Sequence, residues 1–474
     1  MQTIGRLIRH HPAHAIILLL LISVLAGVWY GLPVTPRFSW TVPEPCRICE
    51  LSADGRTVVT ENNHNFRRLQ AHESPLRNEV LRIWDASSGT QRLAFHTAND
   101  QQSFGHVELA PDGRLIVFED PEEPATLRVV DIANGATLTR LRRNDPCSLG
   151  FRFSPNGRTL VYQDSSEVHL WNVTTRRESP VLPTCALGFD FSADGQFLTT
   201  AEGDNVIIAS ELPRSIAVWH VETGCLCGRI TLPRPNGGCL AGMGTDGKLL
   251  FAAINSPFNR DDATAVHVWD VETGRVMESW RADCDRHCDA GVCALRDRFA
   301  VASAQADLAI LDLMTGRERG KVPGWNHGSG VLLPGYCCPV TIRECSPDGR
   351  TLAQLRRKRD ELSPALQWLW NLLQLQKKRS DYDCEVALWD VARGRAMAAL
   401  PAKEDFSFSA DGKFLAVQPD DSTIQIWDIP PRKPLGWFTA IAGALLAACL
   451  TGMWWTHRRT VARISNDAIE CTAA

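Results

Sequence analysis

Apolar and polar positions follow one recurring order along most of this 474-residue chain. An apolar run meets a polar turn in "LSADGRTVV" from Leu51, "LAPDGRLIV" from Leu109, "FSPNGRTLV" from Phe153 and "FSADGQFLT" from Phe191. The same happens in "GTDGKLLFA" from Gly244, "CSPDGRTLA" from Cys345 and "FSADGKFLA" from Phe408. Asp-Gly or Asn-Gly between two apolar runs predicts a β-hairpin, because glycine takes the positive φ that the tight turn demands. A second β-rich run follows each turn and ends at Trp84-Asp85, Val130-Asp131, Trp171-Asn172, Trp219-His220, Trp269-Asp270, Leu311-Asp312, Trp389-Asp390 or Trp427-Asp428. Most of these runs then reach a glycine that can turn the chain into another strand. Eight units result, the sixth with a degraded hairpin at "ALRDRFAVASA". Each reads strand, Asp-Gly turn, strand, loop, strand, turn, strand.

Runs such as "VHVWDV" are apolar on both faces, so each small sheet must lie between two others. Radial repetition of such sheets meets that need. The expectation is an all-β fold, an eight-bladed β-propeller of four-stranded antiparallel blades over residues 37–430. The motifs resemble those of the WD-repeat propeller family over nearly all of 38–430. The Trp-Asp pair stands intact in four units and altered in the others, and Gly105-His106 is the one clear Gly-His pair. The resemblance implies that the last blade takes its outermost strand from the beginning of the chain. "IQIWDI" has no following strand before Leu435, which leaves an edge open, and "RFSWTV" (37–42) has no other partner. That segment is expected to complete the eighth blade.

This closure puts both chain ends on the face of the Asp-Gly turns and the loops between second and third strands on the opposite face. Those loops are short in the third, sixth and eighth units. They are long in the first (61–78), fourth (202–215) and fifth (254–265), and longest in the seventh (355–383). Variable loops on a regular scaffold carry binding. Ser363-Pro364 has the form of a helix start, and a helical insertion is expected over 356–380. Leu366, Leu369, Trp370 and Leu373 share one stripe of it, flanked by the basic residues Arg356, Arg357, Lys377 and Lys378. These eight residues are the candidate partner-binding set, as an amphipathic helix that docks a protein or a lipid surface. The plainer reading folds the helix back over the rim, where its leucines cover apolar surface.

Two stretches break the pattern. Residues 15–32 and 436–455 are uncharged and apolar, long enough to cross a bilayer as helices, with tryptophans or tyrosine at their ends. One transmembrane helix is therefore expected at each end, between a short basic tail (1–14) and a C-terminal tail (456–474). The first stretch has a rival reading as a cleaved signal peptide, though no small-x-small cleavage site is obvious after it. Arg6, Arg9, Arg458, Arg459 and Arg463 lie on the tail side, against Arg37, Arg47, Arg432 and Lys433 on the other. This bias favours a membrane protein with cytoplasmic termini and an extracytoplasmic propeller. The reverse orientation stays open, since WD-repeat propellers are commonly intracellular and free cysteines suit a reducing compartment.

Composition changes the picture little. A net charge of −4 gives no sign of a nucleic-acid binder, and sixteen cysteines in so long a chain do not make a disulfide-stapled mini-protein. "GMGTDGKL" (242–249) nearly matches a phosphate-binding loop, but Leu249 replaces the required hydroxyl residue and no helix follows, so it reads as the hairpin of the fifth unit. "CRIC" (46–49) has zinc-knuckle spacing on a strand, where residues three apart face opposite ways. Cys284, His287 and Cys288 lie within reach of one ion, without a fourth ligand; a disulfide and free thiols are the competing readings. No catalytic constellation emerges, and no cofactor or metal is expected. The functional expectation is a membrane-tethered, non-enzymatic WD-repeat scaffold that binds unknown protein partners through its long-loop face. The alternative is a propeller enzyme or ligand sensor with a metal or substrate site at the central channel. A regulatory module whose anchors pass a signal is a third reading.

Overall fold

The computed structural model describes residues 23–25, 34–62, 80–97, 104, 106–123, 125–144, 150–164, 167–178, 181–184, 186–202, 214–232, 239–243, 248–254, 264–282, 292–295, 299–304, 307–322, 345–357, 384–403, 406–433 and scattered positions between 436 and 451. They fall into two units, Arg37–Pro430 and a second made of Met1–Pro36 with Pro431–Ala474.

The first unit is all-β. Among the described residues, its strands form eight antiparallel sheets, seven with four strands and one with three, numbered in chain order. Sheet 1 shows the scheme: Arg47–Leu51, Thr57–Glu61, Val80–Asp85 and Thr90–His96 pair in sequence, with Val58 opposite Trp84. The second and third strands are buried on both faces, as Val58 and Val59 show, both at 0% exposure. A strand apolar on two sides needs a neighbouring sheet on each. One core joins Val59 and Ile83 of sheet 1 to Ile116 and Val130 of sheet 2. Comparable cores join sheet 2 to 3, 3 to 4, 4 to 5, 5 to 6 and 6 to 7. Each large side chain buried in them contributes on the order of 1.5–3 kcal/mol.

In sheet 8, Phe406–Phe408, Phe414–Asp420 and Thr423–Asp428 are joined by Phe38–Thr41, whose Ser39 lies opposite Gln425. The Arg37 guanidinium donates to the Asp428 carboxylate at 3.2 Å beside this pairing. Trp40, Ile424 and Ile426 then pack with Ile48, Val58 and Trp84 of sheet 1. The two sheets also meet at Gly89, whose φ of +68° turns the chain directly over Trp40; a Cβ there would stand 2.6 Å from the Trp40 Cβ.

A bulge recurs where the third strand meets the fourth. The register shifts at Ile83/Trp84, Val129/Val130, Val218/Trp219, Val268/Trp269, Ile310/Leu311 and Leu388/Trp389. An extra residue on the fourth strand sharpens the local twist each time. The turn that follows is capped by the residue after the bulky position: Asp85 Oδ1 accepts from the Ser87 amide at 2.9 Å, and Asp270 Oδ1 from the Thr273 amide at 2.7 Å.

Two expectations need correction. Blades uniformly of four strands are not found: sheet 7 comprises Thr351–Arg357, Cys384–Asp390 and Arg395–Ala402, with a single bridge from Cys345 to Leu352 in place of a first strand among the described residues. Every sheet is open, and none closes on itself. The architecture is one of repeated antiparallel, mostly four-stranded sheets, consistent with a propeller-like repeat fold. The flanking transmembrane helices are also overturned, since among the described residues no helix is long and apolar enough to cross a membrane. Helical positions are described only at 23–25 and at scattered places between 436 and 451; the remainder of 15–32 and 436–455 lies outside the described residues. An apolar run reports hydropathy, whereas a crossing requires roughly 20 residues of continuous helix. The membrane location, the attachment through two helices and the sidedness drawn from flanking charges rested on those helices and fall with them.

Candidate functional site

The repeat places one residue of each first strand in an equivalent position, just before the apolar residue that opens the hairpin. Glu50 lies opposite Val59, Glu108 opposite Val117, Arg152 opposite Val161 and Asp190 opposite Thr199. Gly242, Cys293 and Ser407 hold the same register position in sheets 5, 6 and 8. Among the described residues, charge at this level is confined to sheets 1 to 4, and small residues hold the position in sheets 5, 6 and 8.

These charges interact across sheets. Arg152 donates through Nη1 to Asp190 Oδ1 at 3.2 Å, and Asp190 Oδ1 also accepts the Phe191 amide at 2.9 Å. Both side chains reach water, at 36% and 40% exposure. Withdrawal from solvent alone would lower the Arg152 pKa; the carboxylates of Asp190, Glu108 and Glu50 outweigh it and raise that pKa. Glu108 lies 3.4 Å from His106 Nε2, and the His106 ring meets Phe151 edge-on at 4.8 Å. Three carboxylates around one guanidinium form a polar row of negative balance. Such a row favours a cationic or zwitterionic group over an anion. Its members come from sequence positions up to 140 residues apart, but one signal could have found them: each precedes the same hairpin motif.

At the other end of the sheets, acids that terminate second strands gather bonds from later strands and linkers. Glu202 accepts from Thr184 Oγ1 at 3.0 Å, Ser215 Oγ at 2.7 Å and Arg229 at 2.9 Å. Asp164 accepts from Asn144 at 2.9 Å and lies 3.1 Å from His169 Nε2, whose ring stacks on Tyr162. Tyr162 in turn donates to Glu178 at 2.5 Å. Burial, then the Glu178 bond, push the Tyr162 pKa far upward, so this phenol stays protonated.

Of the sequence-derived partner-binding residues, Arg356 and Arg357 lie in the strand Thr351–Arg357. Arg356 pairs with Glu385 at 2.8 Å within sheet 7, and Arg357 holds the register position opposite Cys384. The connection that follows, 358–383, lies outside the described residues, and with it Leu366, Leu369, Trp370, Leu373, Lys377 and Lys378. Cys284, His287 and Cys288 lie outside them too. Cys46 packs in the core between sheets 8 and 1, while Cys49 packs in that between sheets 1 and 2. Among the described residues, no group of three or more His, Cys, Asp and Glu side chains gathers to hold a metal ion. Residues 242–249 join paired strands, Cys239–Met243 and Leu249–Ile254, with Met243 opposite Leu250.

Two tryptophans of the repeated position bond in a way the sequence reading missed. Trp84 Nε1 donates to Thr60 Oγ1, and Trp219 Nε1 to Thr200 Oγ1, both at 2.9 Å and buried. The threonine lies two residues beyond the residue paired with the tryptophan, on the same strand face. Trp389 and Trp427 have buried Nε1 atoms with no hydrogen-bond partner among the described residues.

No protein-family model matches this chain, and no curated protein matches it. Among solved structures, the chain is similar to the crystal structure of the computationally designed Ika8 protein. The identity is 13% and the TM-score 0.48, over 82% of this chain and 98% of that one.

Proposed function

We propose that the chain is a non-enzymatic scaffold of the WD-repeat kind, binding partner proteins through the end of the sheets where second strands pass to third strands. The observation that carries this reading is the distribution of connection lengths. First-to-second connections are nearly constant, as in 52–56, 110–114, 154–158, 192–196, 244–248 and 409–413. Second-to-third connections range from 305–306 and 421–422 to 203–214, 62–79 and 358–383. A scaffold that needed connections only to link strands would have no use for this dispersion at one end. The WD-repeat kinship draws on the recurring Trp-Asp position, the capped turn after it and the buried Trp–Thr bonds in sheets 1 and 4.

The test replaces 358–383 by a two-residue turn like 421–422 in the full chain. Crosslinked partners are then identified by mass spectrometry, with Trp370→Asp as a milder variant. The expected result is a melting transition no lower than the parent's and loss of specific partners in both variants. A partner set identical to that of the parent would overturn the assignment. A second reading, a small-ligand site on the first strands, draws on the row Glu50, Glu108, Arg152 and Asp190. It expects Arg152→Ala to alter the binding of a cationic metabolite while leaving the crosslinked partners in place.

A further inference from the structure

The bulge residue of the fourth strand has a recurring task. In sheets 1 and 6 it is arginine, and it reaches back seven residues to the acid that follows the bulky position: Arg92 to Asp85, and Arg319 to Asp312 at 2.8 Å. In sheet 4 both members of this pair are replaced. His220 stands where the acid was, and Cys227 is the extra residue, between Leu226 opposite Trp219 and Gly228 opposite Val218. A further cysteine, Cys225, lies two positions earlier. Both thiols are free and exposed. The Cys227 Sγ turns back along the chain to 3.7 Å from the Cys225 carbonyl oxygen, and the Cys225 Sγ lies 3.9 Å from the Thr223 carbonyl oxygen. His220 Nδ1 is taken up by the Thr223 hydroxyl at 3.2 Å.

We propose that Cys225 and Cys227 form a dithiol site for a soft, thiophilic d10 cation of the Cu(I) type, held between two thiolates on the outer edge of sheet 4. A disulfide across one intervening residue would have to draw two exposed side chains to an S–S separation of about 2.05 Å, whereas a bridging ion needs no such approach. Two sulfurs each about 2.3 Å from one ion stand up to about 4.6 Å apart across it. Thiolates select soft ions over the hard cations that carboxylates prefer. Two thiolates suffice for a soft ion that accepts linear coordination. On binding, each S–H bond yields its proton to solvent and two S–metal bonds form; the metal keeps its oxidation state and no electron moves.

The test uses the full-length protein, anaerobic and reduced, titrated with Cu(I) against a chromogenic chelator. Maleimide alkylation of each cysteine is followed by mass spectrometry. The parent is expected to bind one more tightly held Cu(I) than Cys225→Ser/Cys227→Ser, and each single variant to lose that same ion. One equivalent of Cu(I) should slow alkylation of both thiols together by about tenfold or more, since a metal-bound thiolate is no longer a free nucleophile. Circular dichroism and melting of the variants establish that the fold is retained. Equal Cu(I) content in parent and double variant would overturn the site. So would protection of only one thiol, or a 225–227 peptide lighter by two hydrogens that forms regardless of metal.

Discussion

At the scale of single residues, the molecule is organised by polar groups that finish what apolar runs begin. Thr60, fully buried, accepts the indole hydrogen of Trp84. Thr60→Val would leave that donor stranded in the core, and a loss of about 1–3 kcal/mol in chemical unfolding is expected. Adding Trp84→Phe to Thr60→Val should bring no further cost from an unpaired donor, so the double variant should fall short of the sum of the two single losses. The turn aspartates make a second prediction. Hydrogen bonds from Ser87 and then Arg92 hold the Asp85 carboxyl well below the usual range; Thr273 does so first for Asp270, and Arg319 first for Asp312. A carboxyl with a depressed folded pKa gives stability that is full above its unfolded pKa and lost as pH falls toward the folded one. Melting temperatures should therefore be level near neutrality and fall once pH drops below about 4. Asp85→Asn should flatten part of that fall.

Between elements, the decisive contacts are those that set one sheet on the next. Gly89, at positive φ over Trp40, joins the first sheet to the last. Gly89→Ala adds a left-handed backbone penalty of about 1–2 kcal/mol to a collision with the tryptophan, and both lower the melting transition. Deleting Arg37–Val42 removes a whole strand and uncovers the edge of Thr423–Asp428; self-association in size-exclusion chromatography and a lower melting transition are expected. Strands and hairpins were legible in the sequence because their signals are local: period-two apolar runs and Asp-Gly turns. The pairing of Phe38–Thr41 with Thr423–Asp428 follows from an edge that otherwise lacks a partner. The bulges were not legible, since one extra residue leaves no mark in composition. Arg356 illustrates a similar blind spot: in sequence it begins a basic run, and only the register reveals Glu385 opposite it. The membrane-helix expectation shows the reverse error, in which hydropathy alone was taken for continuous helix.

Over the whole molecule, variation is sorted by direction. One end of the sheets keeps uniform turns, while the other carries connections of very different length. Shortening 358–383 to two residues should therefore stabilise the fold, by about 2 kcal/mol at most from the smaller loop to be closed, in contrast to the losses expected at Gly89 or Thr60. The charged row on the first strands belongs to this scale too, because Glu50, Glu108, Arg152 and Asp190 meet only through the stacking of four sheets; it was hidden until the repeats were superimposed.

The ion pair between Arg37 and Asp428 spans 391 positions of the chain. A ribosome adding roughly 5–20 residues each second would take roughly 20–80 s to deliver the second partner after the first. For that interval Phe38–Thr41 waits without its mate while seven sheets assemble behind it. Nascent chains stalled before Asp428 should consequently expose this segment to protease, and release of Thr423–Asp428 from the ribosome should seal it.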